Sequence, residues 1–475
     1  MTWGLETNIK GPAGPPSTVP GPAGPPGIQG IQGPPGPTGP GGTATALMSD
    51  TPPVGAQVGS LWVETDTGYL YFYYNDGTSS QWVMVSPGSG GISQADADLR
   101  YVRYGGAQGL TAAQATQARQ NVYAAPLDAL AYNGMQINGS MEVSQESGST
   151  SVTGIVNNTR NIVDGWMIQS IGVGSVTGAP ITSVPPPGGT TSLQLFVNTA
   201  NGSPAAGDLL RIIQRIEGYR VSRMGWGGSN PQPMTIGFWV WTTIPGAYSG
   251  AVINAAGNRS YAFLFTVSAA STWQYVTQTI PGDTTGVWQQ SNLTGLELSI
   301  TLMAGTTYKT AAGAWTAGAF FGATGMINGA AANNFLISSV VVLPGIEAPA
   351  AARSPLIMRP YDQELLTCKR YWQKSYIGSV APGTAVGASN GQMGFTGTSG
   401  AFFQSHEFPI VMRSTPTMKS YDNAGNVGYT SLYTTAWSNV LPLTFPVVSE
   451  KTFICNANYA SATVINFDWT ADARL

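Results

Sequence analysis

Histidine is almost missing from this chain: His406 is the single one in 475 residues. A Ser-His-Asp triad would have to run through it, and any metal site built from several histidines is excluded. Cys368 and Cys455 are the two cysteines, too few for a structural zinc site or a disulfide framework. They are expected to pack as small apolar groups, with a bond between them left open. Charged residues make up 9%, against roughly a quarter in an ordinary soluble domain. Lys and Arg number 20 and Asp and Glu 23, for a net charge of −3. No electrostatic hold on nucleic acid or on an acidic membrane is expected. No apolar run reaches the roughly 18 residues of a membrane span, so no membrane insertion is expected. The segment Met1-Thr2-Trp3-Gly4-Leu5 lacks the basic region and apolar core of a secretory signal. No cofactor and no catalytic activity are expected.

What the chain has instead is glycine, proline and aromatic rings: 61 Gly, 33 Pro, 13 Trp and 20 Tyr. The glycines between 11 and 42 carry a period. Gly11 and Gly14 begin it, and Ser17-Thr18-Val19-Pro20 breaks its phase. Gly21, Gly24, Gly27, Gly30, Gly33, Gly36, Gly39 and Gly42 then continue it without a miss, around Pro25-Pro26 and Pro34-Pro35. Three polyproline-II chains wind together only where each third residue lacks a side chain, because that residue faces the crowded axis. A flexible Pro/Gly linker has no need of such a period. Residues 11–42 therefore read as a collagen-like triple helix and the protein as a parallel homotrimer. At roughly 3 Å per residue the uninterrupted part makes a rod of about 60 Å. Residues 1–10 become the attachment end, with Trp3, Leu5 and Ile9 as its anchors.

Residues 49–88 read as a three-stranded meander: Leu61–Glu64, Tyr69–Asn75 and Gln81–Val85, with Asp76-Gly77 as a hairpin turn. Tyr69, Tyr71 and Tyr73 should share one face and Leu70, Phe72 and Tyr74 the other, with one side of the sheet buried by symmetry mates. Residues 89–131 read as a linker and a helical stalk, opened by Thr111-Ala112-Ala113-Gln114 as a capping box. Residues 132–349 alternate as short strands between turns. In Met234–Thr242, Ile236, Phe238 and Val240 fall on one face and Trp239 and Trp241 on the other. Tyr261–Val267, Trp273–Ile280, Leu296–Met303 and Phe335–Leu343 follow. Roughly eight strands with few helices predict a jelly-roll β-sandwich. Residues 350–375 read as a connector with a helix over Asp362–Lys374, and residues 376–475 as a C-terminal β-sandwich tip. There Asn423-Ala424-Gly425-Asn426 and Asn456–Asn458 are expected as turns and loop tips. The expected fold is thus mainly β and elongated.

Several stretches are recognisable together. They are the Gly-X-Y repeat, Asp98-Leu99-Arg100-Tyr101-Val102-Arg103, Leu110-Thr111-Ala112-Ala113-Gln114, Asn138-Gly139-Ser140-Met141-Glu142-Val143-Ser144-Gln145, Asp164-Gly165-Trp166, and the run from Arg359 through Glu364, Cys368 and Arg370 to Lys374. In this order they resemble bacteriophage and prophage tail fibres, and the middle region resembles the carbohydrate-binding jelly rolls of such fibres. The resemblance implies a virion appendage made in the host cytoplasm. Its N-terminus would join other virion proteins of the baseplate, tail or collar. Its distal end would bind a host surface glycan or protein.

Tryptophan and tyrosine rings beside Asn, Asp and Gln side chains hold sugar rings by combining apolar area with polar edges. Trp226, in the expected exposed loop Trp226–Pro231, and Trp239, Trp241, Trp273 and Trp288 are ligand candidates, set against a role filling the core or the trimer seam. At the tip the candidates are Tyr421, Asn423, Asn426, Tyr429, Tyr433 and Trp437. His406 is expected as a hydrogen-bonded strand residue. A purely structural collar fibre is the alternative. A polysaccharide-degrading tailspike is disfavoured, since no β-helix repeat is visible.

Overall fold

The computed structural model describes residues 46–86, 134–327, 333–346, 348–387, 392–395, 400–459 and 464–475. The Gly-X-Y glycines, the N-terminal anchors and the helical stalk lie outside the described residues. The chain divides into two compact units, one reaching Thr111 and the other beginning at Ala112.

In the first unit, Leu61–Glu64, Leu70–Asn75 and Ser80–Ser86 form the expected antiparallel meander. A fourth strand, Leu47–Ser49, adds to it in parallel against Leu61–Glu64. The Asp76 carboxylate accepts the backbone N–H groups of Thr78 and Ser79 and closes the hairpin turn. Trp62 stacks on Tyr71 with ring centres 4.6 Å apart, and Tyr73 packs against Trp82. Among the described residues of this unit Trp62 is the buried large side chain, while Leu47, Met48, Val83 and Val85 stay exposed.

The second unit opens with a two-sheet β-sandwich. One sheet runs, in spatial order, Trp315–Ala317, Arg259–Val267, Gly246–Asn254, Thr294–Ala304, Leu209–Glu217, Trp166–Ile171, Asn158–Val163. The other runs Gln274–Ile280, Met234–Thr242, Asn334–Pro344, Ser192–Val197, Val176–Ile181, Val152–Ile155. Strand pairing is nested. Gly246–Asn254 pairs with Arg259–Val267, and Met234–Thr242 outside them with Gln274–Ile280. Leu209–Glu217 then pairs with Thr294–Ala304, and Ser192–Val197 with Asn334–Pro344. A ribbon of nested pairs folded over itself is the jelly-roll wrap. Ile236, Phe238 and Val240 point into the core with Tyr248, Phe263, Phe265, Leu298 and Phe335, so the expected alternation of the Met234–Thr242 strand holds.

The helix expected over Asp362–Lys374 is shorter, Tyr361–Lys369. Trp372–Lys374 leaves it to pair antiparallel with the last strand, Val464–Asp472. The helix buries Glu364 and Cys368, one turn apart. The C-terminal sandwich sets Gly400–Glu407, Thr452–Tyr459 and Thr444–Val448 against a sheet centred on Val464–Asp472. Its core holds Phe402, Phe453, Cys455, Phe467 and Trp469. Asn456–Asn458 are not a loop tip. They sit inside the Thr452–Tyr459 strand, opposite Ala401 to Phe403. The apolar residues at alternate positions 453, 455 and 457 are buried in that core, which outweighs the turn preference of asparagine. Cys368 and Cys455 are both free and buried, in separate clusters; burial pushes the Cys455 thiol up to about 11.

Candidate functional site

Two of the recognised motifs converge on one polar junction between the sandwiches. Asn138 adopts a positive φ of 51°, a conformation that asparagine tolerates better than most residues. Its side-chain amide donates to the Val143 and Asp164 carbonyls, and its side-chain oxygen accepts the Val143 N–H. Gly139 lies against the Val340 carbonyl, where a Cβ would stand 2.2 Å from the oxygen. The Asp164 carboxylate accepts both Gln145 N–H donors, and Gln145 also donates to the Trp372 carbonyl at 2.9 Å. Burial raises the Asp164 carboxyl to about 6. Arg359 pairs with Glu364 and donates to the Gly134 and Gln136 carbonyls. Glu217, from the jelly roll, receives Arg370 and the Tyr371 hydroxyl at 2.6 to 3.0 Å. Burial opposes ionisation of Glu217, but these donors outweigh it and hold the carboxyl low. These residues bind the chain to itself.

Trp226 was expected in an exposed loop. It is 5% exposed, packed edge-on against Trp288 and Trp315 at 4.7 and 5.2 Å, and it donates to the Gln232 carbonyl. The Trp226–Pro231 turn therefore folds its ring inward to close one end of the sandwich core. Trp288 is likewise buried and donates to Asp283, which Arg259 grips. Trp239 and Trp241 lie on the outer face of the six-stranded sheet. Trp239 is 8% exposed; it packs on Tyr275 and donates to Ser354 of the connector, which covers this part of the sheet. Trp241 and Trp273 remain half-buried.

At the tip the candidates separate. Tyr421 and Asn423 are buried, Tyr421 as the end of the Thr417–Tyr421 strand and edge-on to Tyr376. They are not exposed loop residues, because the 383–387 segment folds over them: the Gly387 N–H donates to the Asn423 carbonyl. Asn426 is exposed but tied to the Asp422 carboxylate. Tyr429, Tyr433 and Trp437 all belong to one hairpin, Tyr429–Tyr433 with Trp437–Pro442. Tyr433 stands opposite Trp437, ring centres 5.2 Å apart. The three rings are between 37% and 40% exposed, a set of aromatic surfaces held on strands rather than on loose loops. The sequence gives no sign of the hairpin: Thr434-Thr435-Ala436 lacks the glycine or asparagine of a typical turn. His406 is a strand residue as expected, paired with Phe453 of Thr452–Tyr459. Its ring stacks on Phe453 at 5.2 Å, and its Nε2 has no partner among the described residues. Among the described residues no group of three or more His, Cys, Asp or Glu could hold a metal ion, and no helix is long and apolar enough to cross a membrane.

No protein-family model and no curated protein matches the sequence. Among solved structures, the enzymatically active domain of bacteriophage CBA120 tailspike protein 4 is similar over 38% of this chain and 19% of its own, with 14% identity and a TM-score of 0.22. The N-terminal cellulose-binding domain of Cellulomonas fimi β-1,4-glucanase C is similar over 39% of this chain and 91% of its own, with 14% identity and a TM-score of 0.23. A family 11 carbohydrate-binding module from Clostridium thermocellum is similar over 40% and 97%, with 10% identity and a TM-score of 0.22. Similarity at this level assigns neither ligand nor activity.

Proposed function

We propose that the protein is a homotrimeric adhesive fibre of a tailed bacteriophage. It would be joined to the particle through its N-terminal segment and bind host surface glycans non-enzymatically through its distal β-domains. The observation that carries the glycan reading is the Tyr433–Trp437 pair, with Tyr429 at the other end of the same strand. These rings remain open to water while most other large rings of the second unit are packed away. Exposed aromatic faces on a rigid sheet suit the apolar faces of sugar rings, and the exposed Thr434 and Thr435 of the adjoining turn suit their hydroxyls. The Gly-X-Y period supports the trimer. Three copies of a weak sugar site on one rod gain avidity without any new contact.

The test is a glycan array on the full-length protein, wild type and Tyr433→Ala/Trp437→Ala. Binding that disappears in the variant supports the reading. Binding that is absent in both, or equal in both, overturns the hairpin as the site. If host cells adsorb the virion normally after residues 355–475 are removed, the purely structural fibre replaces the adhesive one.

A further inference from the structure

A cleft of about 370 Å³ opens where the polar junction meets the helix and the jelly roll. That lies within the range of about 300–1,000 Å³ typical of small-molecule sites. Its walls come from four stretches of chain. Glu142 and Gln145 supply one, Thr182 and Thr191 a second, Tyr361 and Lys369 of the helix a third, and Lys374 and Tyr376 the last. Its charges are out of balance. Lys369 is half-buried, and its side chain makes no ion pair or hydrogen bond among the described residues. Lys374 is also half-buried; its Nζ donates to the Val380 carbonyl at 2.7 Å and meets no carboxylate. The acid of the cleft, Glu142, has one oxygen accepting the Thr190 hydroxyl at 2.7 Å and the other accepting the Ser140 hydroxyl at 3.2 Å.

Cations withdrawn from water need a compensating anion. This chain carries few charges, yet it sets two lysines in one cavity and, among the described residues, brings no carboxylate within ion-pair distance of either. Tyr361 adds an exposed ring at the rim, and the threonines add hydroxyls. We propose that this cleft binds an acidic saccharide, a hydroxylated ring bearing a carboxylate or phosphate that the Lys369 and Lys374 ammonium groups receive. The site is separate from the Tyr433–Trp437 hairpin, so it stands or falls independently of the site proposed there.

Burial lowers the Lys374 ammonium to about 8, with Asp164 behind it opposing the shift. The other ionisable groups lining the cleft are Glu142, Lys369, Tyr361 and Tyr376. An anion held by Lys374 should therefore be released as the pH rises from 7 to 9, when that lysine loses its proton.

The experiment is titration calorimetry on the full-length protein with three probes: an oligogalacturonate, mannose 6-phosphate, and a neutral cello-oligosaccharide of the same length as the first. We expect at least one acidic probe to bind, weakening with salt, with affinity for the neutral one lower by about tenfold or more. Lys369→Met and Lys374→Met should each cost about tenfold for the acidic probe. Lys374→Arg, which stays charged at pH 9, should remove the fall between pH 7 and 9. The preference between carboxylate and phosphate identifies the anion. Lys369→Met lies at a helix end without partners and leaves the fold intact, as its unchanged melting profile should show. The proposal is overturned if neither acidic probe binds, if acidic and neutral probes bind alike, or if Lys369→Met binds as wild type. It is also overturned if Tyr433→Ala/Trp437→Ala abolishes the acidic binding, which would then belong to the hairpin.

Discussion

Asn138 and Glu364 lie 226 positions apart, yet the Asn138 backbone N–H donates to Glu364 Oε1 at 2.8 Å. The same carboxylate pairs with Arg359, whose guanidinium also reaches the Gly134 and Gln136 carbonyls. One buried acid therefore fixes both the entry of the chain into the jelly roll and its exit toward the C-terminal sandwich. The far end of the chain is fixed in the same manner. Arg413 donates to the Ala473 and Asn292 carbonyls, and Arg215 to the Leu475 carbonyl. Polar junctions of this kind suit a chain with little charge, since Glu364, Arg359, Arg413 and Arg215 each hold specific partners there.

Removing the Glu364 carboxylate would leave the Arg359 guanidinium and the Asn138 N–H buried without their acceptor. Breaking a buried pair from one side costs about 3–5 kcal/mol. Glu364→Ala should lower the unfolding free energy of the second unit, read from its denaturant curve, by an amount in that range. Glu364→Gln, which keeps an acceptor for the Asn138 N–H, should lose less. Equal midpoints for wild type and Glu364→Ala would show that the junction contributes nothing.

Asp468 gives the chain a pH dependence of the opposite sign to the usual acidic one. It is fully buried, Ser375 donates to one oxygen at 2.6 Å, and the other has no partner among the described residues. Burial raises its carboxyl from 3.8 to about 6. A carboxyl raised in the folded state binds its proton more tightly there. Its contribution is complete below pH 3.8 and is lost as the pH rises to about 6. At about 1.4 kcal/mol per pKa unit the loss is about 3 kcal/mol at most. Asp468→Asn should match wild type in denaturant at pH 4 and exceed it at pH 7. A variant no more stable at pH 7 would contradict this.

How much of this could be read in the sequence depended on the kind of strand. Met234–Thr242 alternates large apolar residues with period two, and its bounds and its buried face follow directly from that. Gly246–Asn254 is as long but rich in small residues, and Gly250 is there because the Phe263 ring lies on it: an added Cβ would stand 2.2 Å from the ring. Such a strand is defined by its neighbour and leaves no pattern of its own. The site suffered the same way. Trp226 beside Gly227-Gly228 looks like an exposed loop residue, and only the meeting of three distant tryptophans turns it inward. Lys369 and Lys374 gave no signal, because the cleft exists only once four stretches of chain are brought together.

The trimer prediction rests on the glycine period. In the proposed triple helix, replacing one glycine of the period would place three Cβ atoms at the crowded axis. Gly30→Ala should therefore lower the melting temperature of the proposed 21–42 rod, followed by circular dichroism. Pro20→Ala, outside the unbroken repeat, should have less effect. Sedimentation equilibrium of the full-length protein should give three chains per particle. A mass of one or two chains would remove the rod and, with it, the avidity on which the adhesive reading depends.

The hairpin prediction separates binding from folding. Tyr433 and Trp437 are each more than a third exposed and stand outside the C-terminal core cluster, so truncating them should cost less than truncating a fully packed ring. The ring-to-ring contact is worth about 0.5–1.5 kcal/mol. Tyr433→Ala/Trp437→Ala should thus lower the unfolding free energy by less than Trp226→Ala does, while abolishing glycan retention. Trp226→Ala should do the reverse. It empties a site in the Trp226–Trp288–Trp315 cluster and should cost about 3–5 kcal/mol, with retention by the remaining folded protein unchanged. If Trp226→Ala instead removed binding at unchanged stability, the sugar surface would lie at the end of the jelly roll and not on the hairpin.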